Sequence, residues 1–263
     1  MNSGYLDPIA IKFGPFEVYW YGIIMATAVF IGLVLAMKEA ERRETNPDLI
    51  IDLVVSVLPL SIIGARVYYV IFEWGYYAEH PQEIIAIWQG GLAIHGAIIG
   101  ALIGGIIFAK VKNLSFGKLT DIAAPSLILG QAIGRWGNFM NQEAHGGAVS
   151  RSFLENLNLP HWIIEQMQIQ GSYYHPTFLY ESIWNLLVFL FLTFYWKKQE
   201  FLKPGEVFLT YISLYSIGRF FIENMRTDSL MLGPIQVARA ISITIVLASI
   251  LVAVYNRKGN NQL

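Results

Sequence analysis

Long apolar stretches alternate along the chain with short polar connections, and the stretches have the length of a bilayer crossing. Such a crossing takes about 20 mostly apolar residues at about 1.5 Å rise each. Seven stretches qualify: 18–37, 50–72, 92–109, 119–139, 178–196, 206–224 and 235–255. The second, fourth and sixth are less uniformly apolar than the rest. Asp7 and Glu17 precede the first stretch, which runs on too long for a cleavable signal peptide, so it is expected to be the first span. The connection 142–175 is too polar to cross and is broken by Gly146, Gly147, Pro160 and Gly171. It is expected to form a small cap, whose Leu159-Pro160-His161-Trp162-Ile163-Ile164 segment is either an amphipathic helix on the membrane surface or a simple ordered loop. The fold class that follows is an all-α membrane protein of about seven transmembrane helices. It comprises one transmembrane domain over 1–263, with the cap over 142–175 inserted between the fourth and fifth helices.

The positions of Lys and Arg orient these helices. Lys38, Arg42, Arg43, Lys110, Lys112, Lys118, Lys197, Lys198, Lys203, Arg257 and Lys258 fall in alternate connections and the tail. The other connections hold Lys12, Arg151 and Arg226. The expected topology has the N-terminus outside, the C-terminus in the cytoplasm and the cap extracytoplasmic, which demands an odd number of spans.

Composition narrows the function classes. Hydrophobic residues make up 55% and charged residues 14%, where soluble domains carry about a quarter charged. A net charge of −1 offers no field to collect nucleic acid. The absence of Cys excludes a disulfide framework, a thiolate metal site and a cysteine nucleophile of the protein's own. His80, His95, His145, His161 and His175 show no metal-ligand spacing, and no G-x-S-x-G elbow or phosphate-binding loop occurs, so neither a metal nor a cofactor is expected.

Four arginines fall inside the expected spans: Arg66, Arg135, Arg219 and Arg239. Each costs about 2.5–3.5 kcal/mol at mid-membrane if unpaired, so together they would cost about 10 kcal/mol or more. Threaded through the expected topology, all four lie in the outer half of the bilayer. Tyr21, His95, His175, Tyr180, Glu181 and Glu223 share that level, whereas Asp52 and Asp121 fall at cytoplasmic helix starts and are expected to complement helix dipoles. Along the sixth stretch, Tyr215, Arg219, Glu223 and Arg226 recur at helical spacing as one polar stripe. By itself the stripe could be an Arg219–Glu223 pair in mutual neutralisation. Arg135 lies in Gly134-Arg135-Trp136-Gly137-Asn138-Phe139-Met140-Asn141-Gln142-Glu143, with Arg135 and Asn138 on one helical face and glycines that admit close approach. Clustered guanidiniums suit bidentate recognition of phosphate. His95 precedes Gly96, Gly100 and Gly104, a series that reads first as a helix-packing face. An imidazole at arginine depth is a candidate for proton handling.

In these residues the chain resembles the prolipoprotein diacylglyceryl transferase family of bacteria. The resemblance covers nearly the whole chain and rests on Tyr19-Trp20-Tyr21-Gly22, His95-Gly96, the Gly134 to Glu143 segment with Gly146, the run His175-Pro176-Thr177-Phe178-Leu179-Tyr180-Glu181, and Tyr215 with Gly218-Arg219 through Glu223 and Arg226. Many relatives carry His-Gly-Gly where this chain has His95-Gly96-Ala97, and some carry His at the place of Tyr19. The resemblance implies transfer of an sn-1,2-diacylglyceryl group from phosphatidylglycerol to the lipobox thiol of a prolipoprotein signal peptide, with glycerol phosphate released. It further implies that Arg135 and Arg219 hold the phosphate, that Asn138, Glu143, Gly146, Glu223 and Tyr21 line the same chamber, and that His95 and Tyr215 lie close to the reacting groups. His175, Tyr180, Glu181, Arg226, Arg239 and Arg66 are secondary candidates. The sequence leaves the base for the thiol proton open: His95 is the favoured candidate, with Tyr215 or an arginine-assisted route as rivals. The implied site is an active centre facing the outer leaflet of the bacterial cell membrane. The alternative class is a transporter or flippase for an anionic lipid, since intramembrane arginines also line permeation routes. A structural scaffold would leave the clustered arginines without a reason.

Overall fold

The computed structural model describes residues 6–227 and 229–259. Helices occupy every one of the seven stretches: α1 Trp20–Arg42, α2 Asp48–Phe72, α4 Ile94–Val111, α5 Phe116–Met140, α8 Thr177–Leu190, α9 Glu206–Glu223 and α10 Val237–Gly259. Shorter helices are α3 Trp74–Tyr77, α6 Arg151–Asn156 and α7 His161–Gln166, and α8 continues through a π turn, Phe191–Tyr195, and a 3-10 turn to Lys198. Antiparallel strands pair as β1 Ile9–Phe13 with β2 Phe16–Tyr19, as the sheet β3 Ala148–Val149, β5 Ser172–Tyr174, β4 Gln168–Ile169, and as β6 Met231–Leu232 with β7 Ile235–Gln236. Among the described residues, five helices are long and apolar enough to cross a membrane: α1, α2, α4, α8 with its extension, and α10. The fourth and sixth expected spans are helices as well, α5 and α9, of 25 and 18 residues, but they carry the polar residues described below and do not share that apolar composition.

Two compact units divide the chain, one of residues up to Leu35 together with those from Ala123 onward, the other Ala36–Ile122. Within the second, α2 and α4 pack backbone to backbone. A side chain at Gly96 would collide with the Gly64 carbonyl oxygen, and one at Gly100 with that of Leu60. Small residues of this kind let helices gain van der Waals contact where lipid offers no hydrophobic drive, so the glycine series is a packing face, as its spacing predicts. Arg66, almost fully buried, donates to the carbonyl oxygens of Glu83 (2.6 Å), Ile84 (2.7 Å), Gly90 (2.9 Å) and Gly91 (2.9 Å). Gly90 and Gly91 adopt φ of +90° and +70°, a region that favours glycine, and a side chain at Gly91 would strike the guanidinium. The expected dipole roles of Asp52 and Asp121 give way to ion pairing. α2 begins at Asp48 and α5 at Phe116, so both carboxylates stand beyond the first turn. Asp52 meets Lys112 at 3.1 Å and Asp121 meets Arg43 at 3.7 Å.

In the other unit, α8 is the shared neighbour of α5 and α9. The Ser182 hydroxyl donates to Ala132 O (2.9 Å) and accepts from Trp136 Nε1 (3.2 Å), which ties α5 to α8. Trp184 Nε1 donates to Leu214 O (2.9 Å), and the indole lies so close over Gly218 that no side chain would fit there. Ala124, Ile128, Val188, Leu192, Val207 and Tyr211 form the buried core among these three helices. The 142–175 connection folds as the three-stranded sheet with α6 and α7, around Phe139, Leu154, Ile163, Ile164, Met167 and Phe178. The helical alternative for 159–164 is therefore the observed one, but Ile163 and Ile164 are consumed by this core rather than left for a membrane surface, and of the segment's large apolar side chains only Trp162 is exposed. Gln166 anchors the assembly: its amide donates to Phe139 O and Met140 O and accepts from Leu6 N. The two hairpins depart from the all-α expectation. Both turn on an apolar-Gly-Pro-apolar sequence, Phe13 to Phe16 and Leu232 to Ile235, with glycine at φ +59°, and they lead into α1 and α10.

Candidate functional site

The C-terminal part of α5, the first turns of α8 and the C-terminal half of α9 lie at one end of their unit. Each brings a charged side chain to that end because the close contacts at Ser182 and Gly218 fix the helices in register. Glu181 of α8 stands at the meeting point, 3% exposed. Its Oε2 pairs with Arg135 Nη2 at 2.6 Å, and its Oε1 meets Arg219 at 3.1 Å and Arg226 at 3.7 Å. Arg219 also meets Glu223, one turn along α9, at 2.6 Å, and Glu223 is 1% exposed. The i, i+4 pair read from the sequence therefore exists, but it is half of a larger constellation.

From Arg135 the network continues outward. Its Nη1 donates to Asn138 Oδ1 (3.4 Å), and Asn138 Nδ2 donates to Glu143 Oε1 (3.0 Å). The Tyr21 ring lies against Gly137, where an added Cβ would come within 2.7 Å of it. Gly146 pairs with Arg226 as an isolated antiparallel bridge and donates to His175 O (3.0 Å), and Gly147 donates to Met225 O (2.9 Å). An added Cβ at Gly146 would stand 2.6 Å from His175 Cβ and 2.8 Å from Met225 O. Glycine is thus required to bring the segment carrying Glu143 against the backbone of Arg226. His175 Nδ1 lies 3.3 Å from the Tyr180 hydroxyl, and burial lowers the imidazole pKa below its ordinary value.

The remaining candidates lie elsewhere. Tyr215 sits one turn before Arg219, with its ring tilted against Tyr211. Arg239 covers the Phe220 ring at 4.5 Å, a cation–π contact, and reaches Gln236 Oε1 at 3.5 Å. Arg66 is engaged by the 83–91 loop, as described, and His95 opens α4 in the Ala36–Ile122 unit, stacked on Tyr68 with centroids 5.8 Å apart. Sequence reasoning placed Glu181 only among secondary candidates and did not see that it is the shared partner. The available signal was a lone carboxylate in an otherwise apolar helix, which is costly unless several cations meet it.

Chemically, the cluster is a network of three guanidiniums around two buried carboxylates. The arginine side chains retain 19%, 18% and 10% exposure for Arg135, Arg219 and Arg226, while the carboxylates are sealed. Planar guanidiniums in that state suit a phosphate. Among the described residues no group of three or more His, Asp or Glu gathers in a way that could hold a metal ion.

Comparison with known proteins identifies the family. A family profile described as prolipoprotein diacylglyceryl transferase matches residues 8–255. A phosphatidylglycerol–prolipoprotein diacylglyceryl transferase of Bacillus mycoides (strain KBAB4) is 59% identical over 253 residues, 96% of this chain and 93% of the relative. The protein of the same name from Geobacillus kaustophilus (strain HTA426) is 57% identical over the same shares. With a match that runs through both units and includes every residue of the arginine–carboxylate cluster, the chain belongs to the prolipoprotein diacylglyceryl transferase family.

Proposed function

We propose that this chain transfers an sn-1,2-diacylglyceryl group from phosphatidylglycerol to the lipobox cysteine thiol of a prolipoprotein, and that Arg135 and Arg219 hold the lipid's phosphate during transfer. The observation that carries the reading is the convergence of Arg135, Arg219 and Arg226 on the buried carboxylates Glu181 and Glu223. In the reaction the deprotonated thiol sulfur attacks the glyceryl carbon bonded to the phosphate oxygen. A carbon–sulfur bond forms, the carbon–oxygen bond breaks, and its electron pair leaves with glycerol phosphate. The phosphate group passes from one negative charge towards two, and guanidiniums bind that developing charge more strongly than the ground state. The chain has no Cys, which suits a direct displacement by the substrate's thiol.

Asn138, Glu143, Gly146, Glu223 and Tyr21 complete the headgroup chamber in this reading. A thiol is a poor nucleophile until its proton is removed, and His95 is the proposed base, with Tyr215 or an arginine-assisted route as rivals. The proposed membrane arrangement has seven crossings, the N-terminus outside, the C-terminus in the cytoplasm and the 142–175 cap on the extracytoplasmic side. The distribution of Lys and Arg supports it, as does the gathering of the cluster at one end of α5, α8 and α9, where phosphatidylglycerol of the outer leaflet would have lateral access.

The test is to incubate the purified protein in detergent with phosphatidylglycerol and a lipobox peptide. The peptide mass should rise by one diacylglyceryl group as glycerol phosphate is released. Unmodified peptide, under conditions that support a transferase relative, refutes the activity and revives the flippase alternative.

A further inference from the structure

We propose that a groove between α2 and α4, at the end of α4 remote from His95, binds a phospholipid whose headgroup carries both a phosphate and a primary ammonium, the phosphatidylethanolamine class. The groove lies wholly in the Ala36–Ile122 unit and shares no residue with the arginine cluster. Both helices are long and apolar enough to cross a membrane, and their contact is uneven along its length. At Gly96 and Gly100 an added Cβ would overlap the backbone of the facing helix, whereas at Gly104 it would stand 3.4 Å from the nearest backbone atom, Val57 Cα. Beyond Gly104, the side chains of Ile107, Phe108 and Val111 replace the glycines. A cavity of about 270 Å³ opens there.

Part of its lining is hydrocarbon. Val55, Ile107 and Val111 are 66%, 49% and 71% exposed, apolar surface that an acyl chain would cover. The rest is ionic. Lys112 follows the last residue of α4, and its Nζ meets Asp52 Oδ2 at 3.1 Å and lies 5.8 Å from the Phe108 ring centroid. Both side chains remain open, Lys112 at 41% and Asp52 at 53% exposure, so each has room for a second partner. Asp48 and Lys110, the neighbouring charges on these helix ends, are not among the lining residues. Hydrocarbon beside a basic residue at the end of a span is the layout that receives a lipid headgroup. Here the basic residue has an acidic neighbour. An anionic headgroup would answer Lys112 alone and set its charge beside Asp52, whereas a headgroup of both signs places phosphate on Lys112 and ammonium on Asp52. Lys112 lies about 25 Å along α4 from His95 at 1.5 Å per residue. In the proposed membrane arrangement the groove therefore belongs to the cytoplasmic leaflet, opposite the one that supplies the diacylglyceryl donor.

The experiment is native mass spectrometry of the purified, delipidated protein, titrated with phosphatidylethanolamine or phosphatidylcholine of identical acyl chains. Both headgroups are zwitterionic, but the quaternary ammonium of phosphatidylcholine has no N–H to give Asp52. Wild type should retain one phosphatidylethanolamine about threefold more readily than phosphatidylcholine, the usual strength of a partly exposed ion pair. Asp52→Asn should erase that preference, and Lys112→Gln should weaken retention of both lipids. Val55→Trp and Ile107→Trp fill the groove from opposite walls, each at an exposed position, and either should remove the retained copy. The two Trp variants are checked for folding by gel filtration and thermal unfolding, and one folded variant is sufficient. Equal retention of the two lipids by wild type, or undiminished phosphatidylethanolamine in a folded Trp variant, overturns the proposal. So does a Trp variant that loses a copy of phosphatidylglycerol in a parallel titration while keeping phosphatidylethanolamine, since the groove would then serve an anionic lipid.

Discussion

Arg66 and Arg219 are both guanidiniums in largely apolar helices, and their surroundings differ in kind. Arg66 gives its N–H groups to four backbone carbonyls of one loop, with the Tyr77 ring 5.1 Å away. Arg219 faces two carboxylates, one of them shared with Arg135 and Arg226. Backbone carbonyls are dipoles that absorb donors without cancelling charge, and they hold the 83–91 loop in place in return. Carboxylates cancel charge while leaving donors over. The first arrangement is a strut, and the second is a network of paired charges, which the proposed function reads as an anion site. Identical residues at similar expected depth in the bilayer are therefore told apart by what becomes of their donors.

Substitutions can break this distinction, and the largest effect should fall on the cluster. Arg219→Ala or Arg135→Ala should lower kcat/KM by about 10³-fold or more while the protein still inserts in the membrane, as measured by peptide lipidation. Wild-type rates in both variants would remove the phosphate clamp. His95→Gln should cost about 10²-fold and change the shape of the pH–rate profile, whereas an unchanged profile would move the base elsewhere. Arg66→Lys keeps the charge but loses the fork, so it should destabilise the protein by about 3 kcal/mol in thermal unfolding while the folded fraction turns over within a few-fold of wild type. A selective loss of turnover without loss of stability would place Arg66 with the cluster after all. The smallest effect concerns His175. Its folded pKa is depressed by burial, so stability is fully present above the unfolded value of about 6.5 and declines as pH falls through the folded value. His175→Gln should flatten the acid limb of a stability-against-pH curve. An unaltered limb would show that the imidazole titrates alike in both states.

Helix positions were legible because each depends on a run of about 20 local residues. The polar stripe of α9 and the Arg135–Asn138 face were legible for the same reason, helical spacing being a local property. The partners were not. The role of Arg66 depends on carbonyls 17 to 25 residues away, two of which belong to glycines at positive φ, and no side-chain type announces them. Glu181 looked secondary because its importance lies in three arginines from other segments, the most distant in sequence being Arg135. The hairpins escaped notice because strands of two to five residues leave little periodicity to read. Asp52 and Asp121 misled through position alone, since a carboxylate near a helix start suggests a dipole partner until a cation is seen opposite it.

Gly146 gives the peptide between Glu143 and Gly147 the character of a lace drawn through an eyelet. It is threaded between His175 on one side and Met225 on the other, with no slack for even a methyl group. Its length is consequently fixed. One residue more or fewer ahead of the eyelet would drag Glu143 out of reach of Asn138 or unhook Arg226, whereas the exposed turn at Leu157 and Asn158 can lengthen without pulling on the knot. Indels in variants of this chain should therefore be found on the far side of that crossing.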